Sequence, residues 1–102
     1  MGVIFLTIQP LKIIADHYGK DHQLLKFAEE CGELQTAIAR FILNPNGDTY
    51  ENLIEEMADV RTMAQQIEYL LRIENDVDVA QAKKIARQLL RIGKLDDSLF
   101  EQ

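Results

Sequence analysis

Four carboxylates stand in two pairs of equal spacing: Glu30 and Glu33 as Glu-x-x-Glu, and Glu56 and Asp59 as Glu-x-x-Asp. Residues three apart share a helix face, so each pair can aim both carboxylates in one direction if its segment is helical. Four such groups brought together repel one another, and the repulsion grows as they leave water. A cation among them removes that cost. All-oxygen ligation selects hard ions, Mg²⁺, Mn²⁺ or Ca²⁺, over zinc. A diiron centre would need Glu-x-x-His pairs, and neither His17 nor His22 sits in one. Glu and Asp on a helix flank are ordinarily a solvated face, so one pair alone carries little weight. Two pairs of matched spacing carry more.

The elements that must position these pairs are read from turn formers and apolar spacing. Asn44-Pro45-Asn46-Gly47 is the strongest breaker in the chain, Asn75-Asp76 a softer one, and Gly19 and Gly93 close helical patterns. A first helix is expected from near Pro10 to Tyr18, proline suiting a first helical turn. The β-prone apolar residues Val3 to Ile8 within the arm 1–9 read equally as extended chain or as more helix. A second helix should run from near His22, capped by Asp21, to about Leu43. A third should start after Asp48 or Thr49, with Asp48 and Glu51 resembling a capping box, and reach about Ile73. A fourth should span about Val77 to Ile92, capped by Asp76 or Asp78, leaving a tail over 94–102. The fold class is therefore all-α: an antiparallel bundle of about four helices, two of them long and central, in one domain over 1–102, completed by oligomerisation.

In the second helix Leu24, Phe27, Cys31, Leu34, Ile38 and Phe41 are spaced 3, 4, 3, 4, 3, and in the third Leu53, Met57, Val60, Ala64, Ile67 and Leu71 are spaced 4, 3, 4, 3, 4. These are seams for helix-on-helix packing. The short link between them makes the two helices antiparallel neighbours. Lettered as heptads, Glu30 and Glu56 are both g, and Glu33 and Asp59 both c. The acidic pairs thus share one flank of the hairpin. A turn about residue 46 sets Glu30 level with Asp59 and Glu33 level with Glu56 to within roughly 4.5 Å of axial rise.

These residues resemble a known family. Glu29-Glu30-Cys31-Gly32-Glu33-Leu34 followed by Glu55-Glu56-Met57-Ala58-Asp59-Val60 is similar to the paired motif of the MazG-like all-α nucleoside triphosphate pyrophosphohydrolases, with 22 residues between Glu33 and Glu56. The likeness covers about residues 22–73, and the fourth helix, with Lys84, Arg87-Gln88 and Arg91-Ile92, looks like the closing segment of short members. The resemblance implies hydrolysis between the α and β phosphates, giving a monophosphate and pyrophosphate. It also implies Mg²⁺, with Mn²⁺ as a substitute, on Glu30, Glu33, Glu56 and Asp59, in a homodimer or homotetramer. Phosphoribosyl-ATP is a substrate within the same superfamily, and a non-catalytic nucleotide- or partner-binding module is the alternative from another class.

Accessory residues follow from position. Lys26, four residues before Glu30, shares its face and can contact a phosphate or simply pair with Glu30. Arg87 and Arg91, near Lys83 and Lys84, can touch phosphates or form a solvated basic face. Glu29 and Glu55 point away from their neighbours and read mainly as solvated. Tyr50 and Asn52 are candidates for reading base or sugar. Cys31, the single cysteine, excludes an internal disulfide and reads as a small core residue.

Composition supports the same class. A net charge of −6 with 47% hydrophobic and 27% charged residues is that of a globular protein with no surface for nucleic acid. There is no glycine-rich phosphate loop, no Cys/His cluster, no signal-peptide pattern and no membrane-length apolar run, which makes a cytoplasmic protein without membrane contacts the expectation.

Overall fold

The computed structural model describes the backbone of residues 2–94 and the side chains from Ile8 to Lys94. The tail expected beyond Lys94 lies outside the described residues. Four helices follow one another: α1 (Gly2–Tyr18), α2 (Lys20–Leu43), α3 (Gly47–Leu71) and α4 (Glu74–Arg91). No strand occurs among the described residues, and no helix among them is long and apolar enough to cross a membrane. The all-α class is as expected. The chain parts into two compact units, Met1–Arg72 and Ile73–Gln102.

In the first unit α2 and α3 form the antiparallel hairpin. Phe41 and Tyr50 meet beside the turn with ring centroids 6.3 Å apart, Glu33 approaches Glu56 further along, and Gln23 bonds Gln66 at the far end. Each step back along α2 is matched by a step forward along α3. The connector is only Asn44-Pro45-Asn46. Asn46 caps α3 through a reciprocal pair of bonds at 3.0 Å, its side chain accepting from the Thr49 N–H and its own N–H donating to Thr49 Oγ1. The Thr49 hydroxyl also donates to the Asn44 carbonyl at 2.9 Å. The cap is thus Asn46 with Thr49, two residues before the expected Asp48. Likewise α2 starts at Lys20 after Gly19, whose φ of +82° suits glycine, and not after Asp21.

α1 is longer than expected. Helix runs unbroken from Gly2, which settles the arm in favour of helix and puts Pro10 in the interior instead of the first turn. Proline there leaves a carbonyl one turn earlier without its helical partner, so this helix is held by packing more than by its own ladder. Ala15 is fully buried, Tyr69 donates to Asp16 Oδ2 at 2.8 Å, and Lys12 Nζ lies 5.4 Å from the Tyr69 ring centre.

The core of this unit departs from the expected seams by a rotation. Gln23, Glu30 and Ala37 are buried on α2, alternating with half-buried Phe27, Leu34 and Phe41. On α3, Leu53, Glu56, Val60, Met63, Ile67 and Leu70 form the matching row. Four expected seam residues, Leu24, Ile38, Met57 and Leu71, keep 41%, 41%, 46% and 37% of their surface exposed. Cys31 is half-buried. The apolar arc on each helix is wider than one seam, and the hairpin closes on the edge of it that carries the polar residues.

One product of this rotation is a buried amide pair. Gln23 Nε2 donates to Gln66 Oε1 at 2.7 Å, and Gln23 Oε1 accepts from His22 Nδ1 at 2.7 Å. Gln66→Ala leaves the Gln23 amide buried without its acceptor, and should cost about 1–3 kcal/mol in denaturant unfolding. Replacing both glutamines by Leu should cost much less, since no polar group is then stranded. Equal losses in the two variants would mean that packing volume, not the bond, is what the pair supplies.

α4, taken by itself, has three acidic residues near its start and ends in a tight closure. The N–H groups of Gly93 and Lys94 donate to the Leu90 and Leu89 carbonyls at 3.1 and 2.8 Å, with Gly93 at φ +71°. This is the glycine-terminated stop anticipated at Gly93. Its start differs from expectation: Ile73 precedes the first turn and no side chain caps it. Lys83, Lys84, Arg87 and Arg91 are exposed and fall on one side at 3.6 residues per turn.

Candidate metal centre

The rotation that buries Gln23 and Ala37 also turns the first carboxylate of each motif inward. Glu30 and Glu56 are seam positions, not flanks as the apolar spacing implied. Glu30 is 6% exposed and Glu56 half-buried, whereas their partners Glu33 and Asp59, three residues on, are exposed. One oxygen from each of Glu30, Glu33 and Glu56 can be taken such that all three lie within 4.8 Å of one another. Asp59 is not a member of this group. Three of the four expected ligands therefore converge on the α2–α3 hairpin, and the fourth stands beside them on the outside of α3.

Three details show what the group lacks. Glu30 Oε2 and Glu56 Oε2 are both buried, and neither has a hydrogen-bond partner among the described residues. Buried carboxylate oxygens without partners are costly, and each needs a proton, a donor or a cation. Leucine at either position would extend the seam at no such cost. The third detail is Glu33, whose carboxyl is held above the ordinary carboxylate value, first by the charge of Glu30, then by its own desolvation and by Glu56. The group is short of positive charge on three counts.

One positive charge is already present. Lys26 Nζ lies 3.2 Å from Glu30 Oε1 and 3.8 Å from Glu29 Oε2. The bond to Glu30 holds its ammonium above the ordinary lysine value, with Glu29 adding to the effect. Of the two roles open to Lys26, this is the ion pair. Arg87 and Arg91 lie on α4, in the other unit, and belong to its exposed basic side. Tyr50, Glu51, Ile54 and Glu55 line a shallow depression on the α3 surface, and Asn52 is half-buried. His17 and His22 are exposed, with His22 stacked on Tyr18 at 4.7 Å.

The chain matches no family model, no curated protein and no solved structure. The candidate centre therefore stands on its own geometry and on the motif spacing. Sequence reasoning missed Gln23 and Gln66. The available signal was that Gln23 stands seven residues before Glu30, at the same heptad position, so whatever buries one buries both.

The crowding has a pH signature. Folding raises the Glu33 pKa, so the folded chain takes up a proton that the unfolded chain does not, over the interval above the ordinary value of 4.5. Acidification through that interval favours the folded state, and this contribution is lost as pH rises past the raised value. In chelator-treated protein, the thermal midpoint of wild type relative to Glu33→Gln should therefore climb as pH falls from neutral toward 4.5. Parallel curves for the two proteins would show that Glu33 feels no such repulsion.

Proposed function

We propose that this protein is a Mg²⁺-dependent nucleoside triphosphate pyrophosphohydrolase that releases a nucleoside monophosphate and pyrophosphate. The observation that carries the reading is the convergence of Glu30, Glu33 and Glu56, with two buried carboxylate oxygens lacking partners. A structural role would leave such oxygens hydrogen-bonded or replace them with apolar groups. A divalent cation satisfies them, and oxygen-only donors suit Mg²⁺, with Mn²⁺ as a substitute. The motif resemblance adds the substrate class.

When bound, the metal would neutralise phosphate charge and lower the pKa of an attacking water. The chain's own residues do the rest. Glu30 and Glu56, lying in the seam, would hold the cation together with Glu33. Glu33 closes the group from the exposed side, where a triphosphate can approach. Asp59, exposed and outside the group of three, is the carboxylate we assign as proton acceptor for the attacking water. Lys26, paired with Glu30, is the cation that the first unit holds beside the group. The exposed apolar residues Leu24, Ile38 and Met57 favour a homodimer or homotetramer in which a second copy covers them.

The test is release of pyrophosphate from a panel of canonical and modified nucleoside triphosphates and phosphoribosyl-ATP, with and without Mg²⁺. Turnover that needs Mg²⁺ and yields monophosphate plus pyrophosphate is the expected result, and the preferred member names the substrate. Metal binding without turnover on any member would favour a non-catalytic nucleotide- or partner-binding module.

A further inference from the structure

The carboxylate group has a cation tethered to it, and that cation has two places to be. Lys26 Nζ lies 3.2 Å from Glu30 Oε1 and 3.8 Å from Glu29 Oε2. The two acceptors differ in kind. The Glu30 side chain is 8% exposed and belongs to the converging group, while that of Glu29 is 59% exposed and lies outside it. Lys26 itself keeps 44% of its side chain exposed. Its ammonium, a compact charge on a flexible stem, can change partner without repacking the hairpin.

A divalent ion that takes Glu30 claims the carboxylate at which the ammonium is now aimed. Two cations on one carboxylate, the ammonium at Oε1 and the ion at the unpartnered Oε2, repel one another where water is scarce. We propose that Lys26 is a displaceable counter-ion: it neutralises Glu30 until a divalent cation expels it, and Glu29 is the carboxylate that receives it. This rests on reading Glu30, Glu33 and Glu56 as the metal-binding group. In this arrangement Lys26 lowers metal affinity while relieving the crowding of carboxylates, and Glu29 returns part of that affinity by giving the expelled ammonium a partner. Lys26 and Glu29 are then positioning residues, acting on the metal through Glu30.

The test is titration of the full chain with Mn²⁺ alone, no nucleotide present, reading free Mn²⁺ by electron paramagnetic resonance. Wild type, Lys26→Met, Glu29→Gln, the double variant and Glu56→Gln are compared, each checked for helix content. Lys26→Met should bind Mn²⁺ about five-fold more tightly, the upper end for a pair with one exposed partner. Glu29→Gln should weaken binding about three-fold in wild type and distinctly less in the Lys26→Met background, because only its field on the ion then remains. Additive effects would overturn the hand-over to Glu29. Unchanged or weaker binding by Lys26→Met would overturn displacement altogether. If wild type and Glu56→Gln take up Mn²⁺ equally, the metal-binding group itself is wrong and the proposal falls with it.

Discussion

Glu56→Gln should lose hydrolysis and gain stability in the same protein. Its carboxylate has a buried oxygen without a partner and lies against Glu30 and Glu33. Removing the charge leaves the shape intact, relieves the repulsion, and should stabilise the metal-free protein by about 1 kcal/mol, or roughly 4–8 °C in thermal midpoint for a domain of this size. Turnover should fall roughly 100- to 1,000-fold, the usual cost of deleting one preorganised charge-stabilising group. Glu30→Gln should lose activity to the same degree. Asp59→Asn should also lose turnover but keep metal binding, since it stands outside the group of three. Kinetics with saturating Mg²⁺ beside thermal melts in chelator would read both effects. Wild-type turnover in Glu56→Gln or Glu30→Gln would end the assignment of the site.

Mg²⁺ itself should be the largest stabiliser of the fold. A ligand that binds only the folded chain adds about 2.7 kcal/mol at one hundred times its dissociation constant. For a chain of 102 residues that is a rise of roughly 10–20 °C in thermal midpoint. The unfolded chain offers the same carboxylates without their convergence, so its affinity is weak. A scan with and without Mg²⁺, repeated on a variant carrying Glu30→Gln and Glu56→Gln together, checks this. The double variant should show almost no shift. A rise of equal size in it would place the ion elsewhere on this acidic protein.

The helical class and the hairpin were legible because their signals are strong and long. Two periodic segments of more than twenty residues flank one dense breaker at Asn44-Pro45-Asn46-Gly47. The cap at Asn46 was not legible: Asn44, Asn46, Asp48 and Thr49 are all able to cap, and only the backbone path selects among them. Pro10 misled for a related reason, since proline starts helices more often than it sits inside them. Three of the four carboxylates of the candidate centre were legible in their identity and in sharing one side of the hairpin, but not in their burial. Hydropathy drew the α2 seam through Leu24, Cys31 and Ile38, whereas the folded chain buries Gln23, Glu30 and Ala37. Both rows share Phe27, Leu34 and Phe41, so apolar spacing alone cannot separate them. Periodicity scores a glutamate at the contact line as an error, and here it is what makes the group chemically distinctive.

The connector between α2 and α3 has a consequence for how many sites a given amount of protein carries. Pro45 lacks an N–H and clashes with a preceding carbonyl in a continuing helix, a cost of about 3 kcal/mol that disfavours α2 and α3 straightening into one rod and trading halves with a neighbouring copy. The tie between Asn46 and Thr49 closes the same bend from the other side. Glu30, Glu33 and Glu56 are accordingly assembled within one polypeptide. Diluting the protein until any association between copies dissolves leaves one complete carboxylate set per chain, so ion uptake by the proposed centre should be independent of concentration per mole of chain.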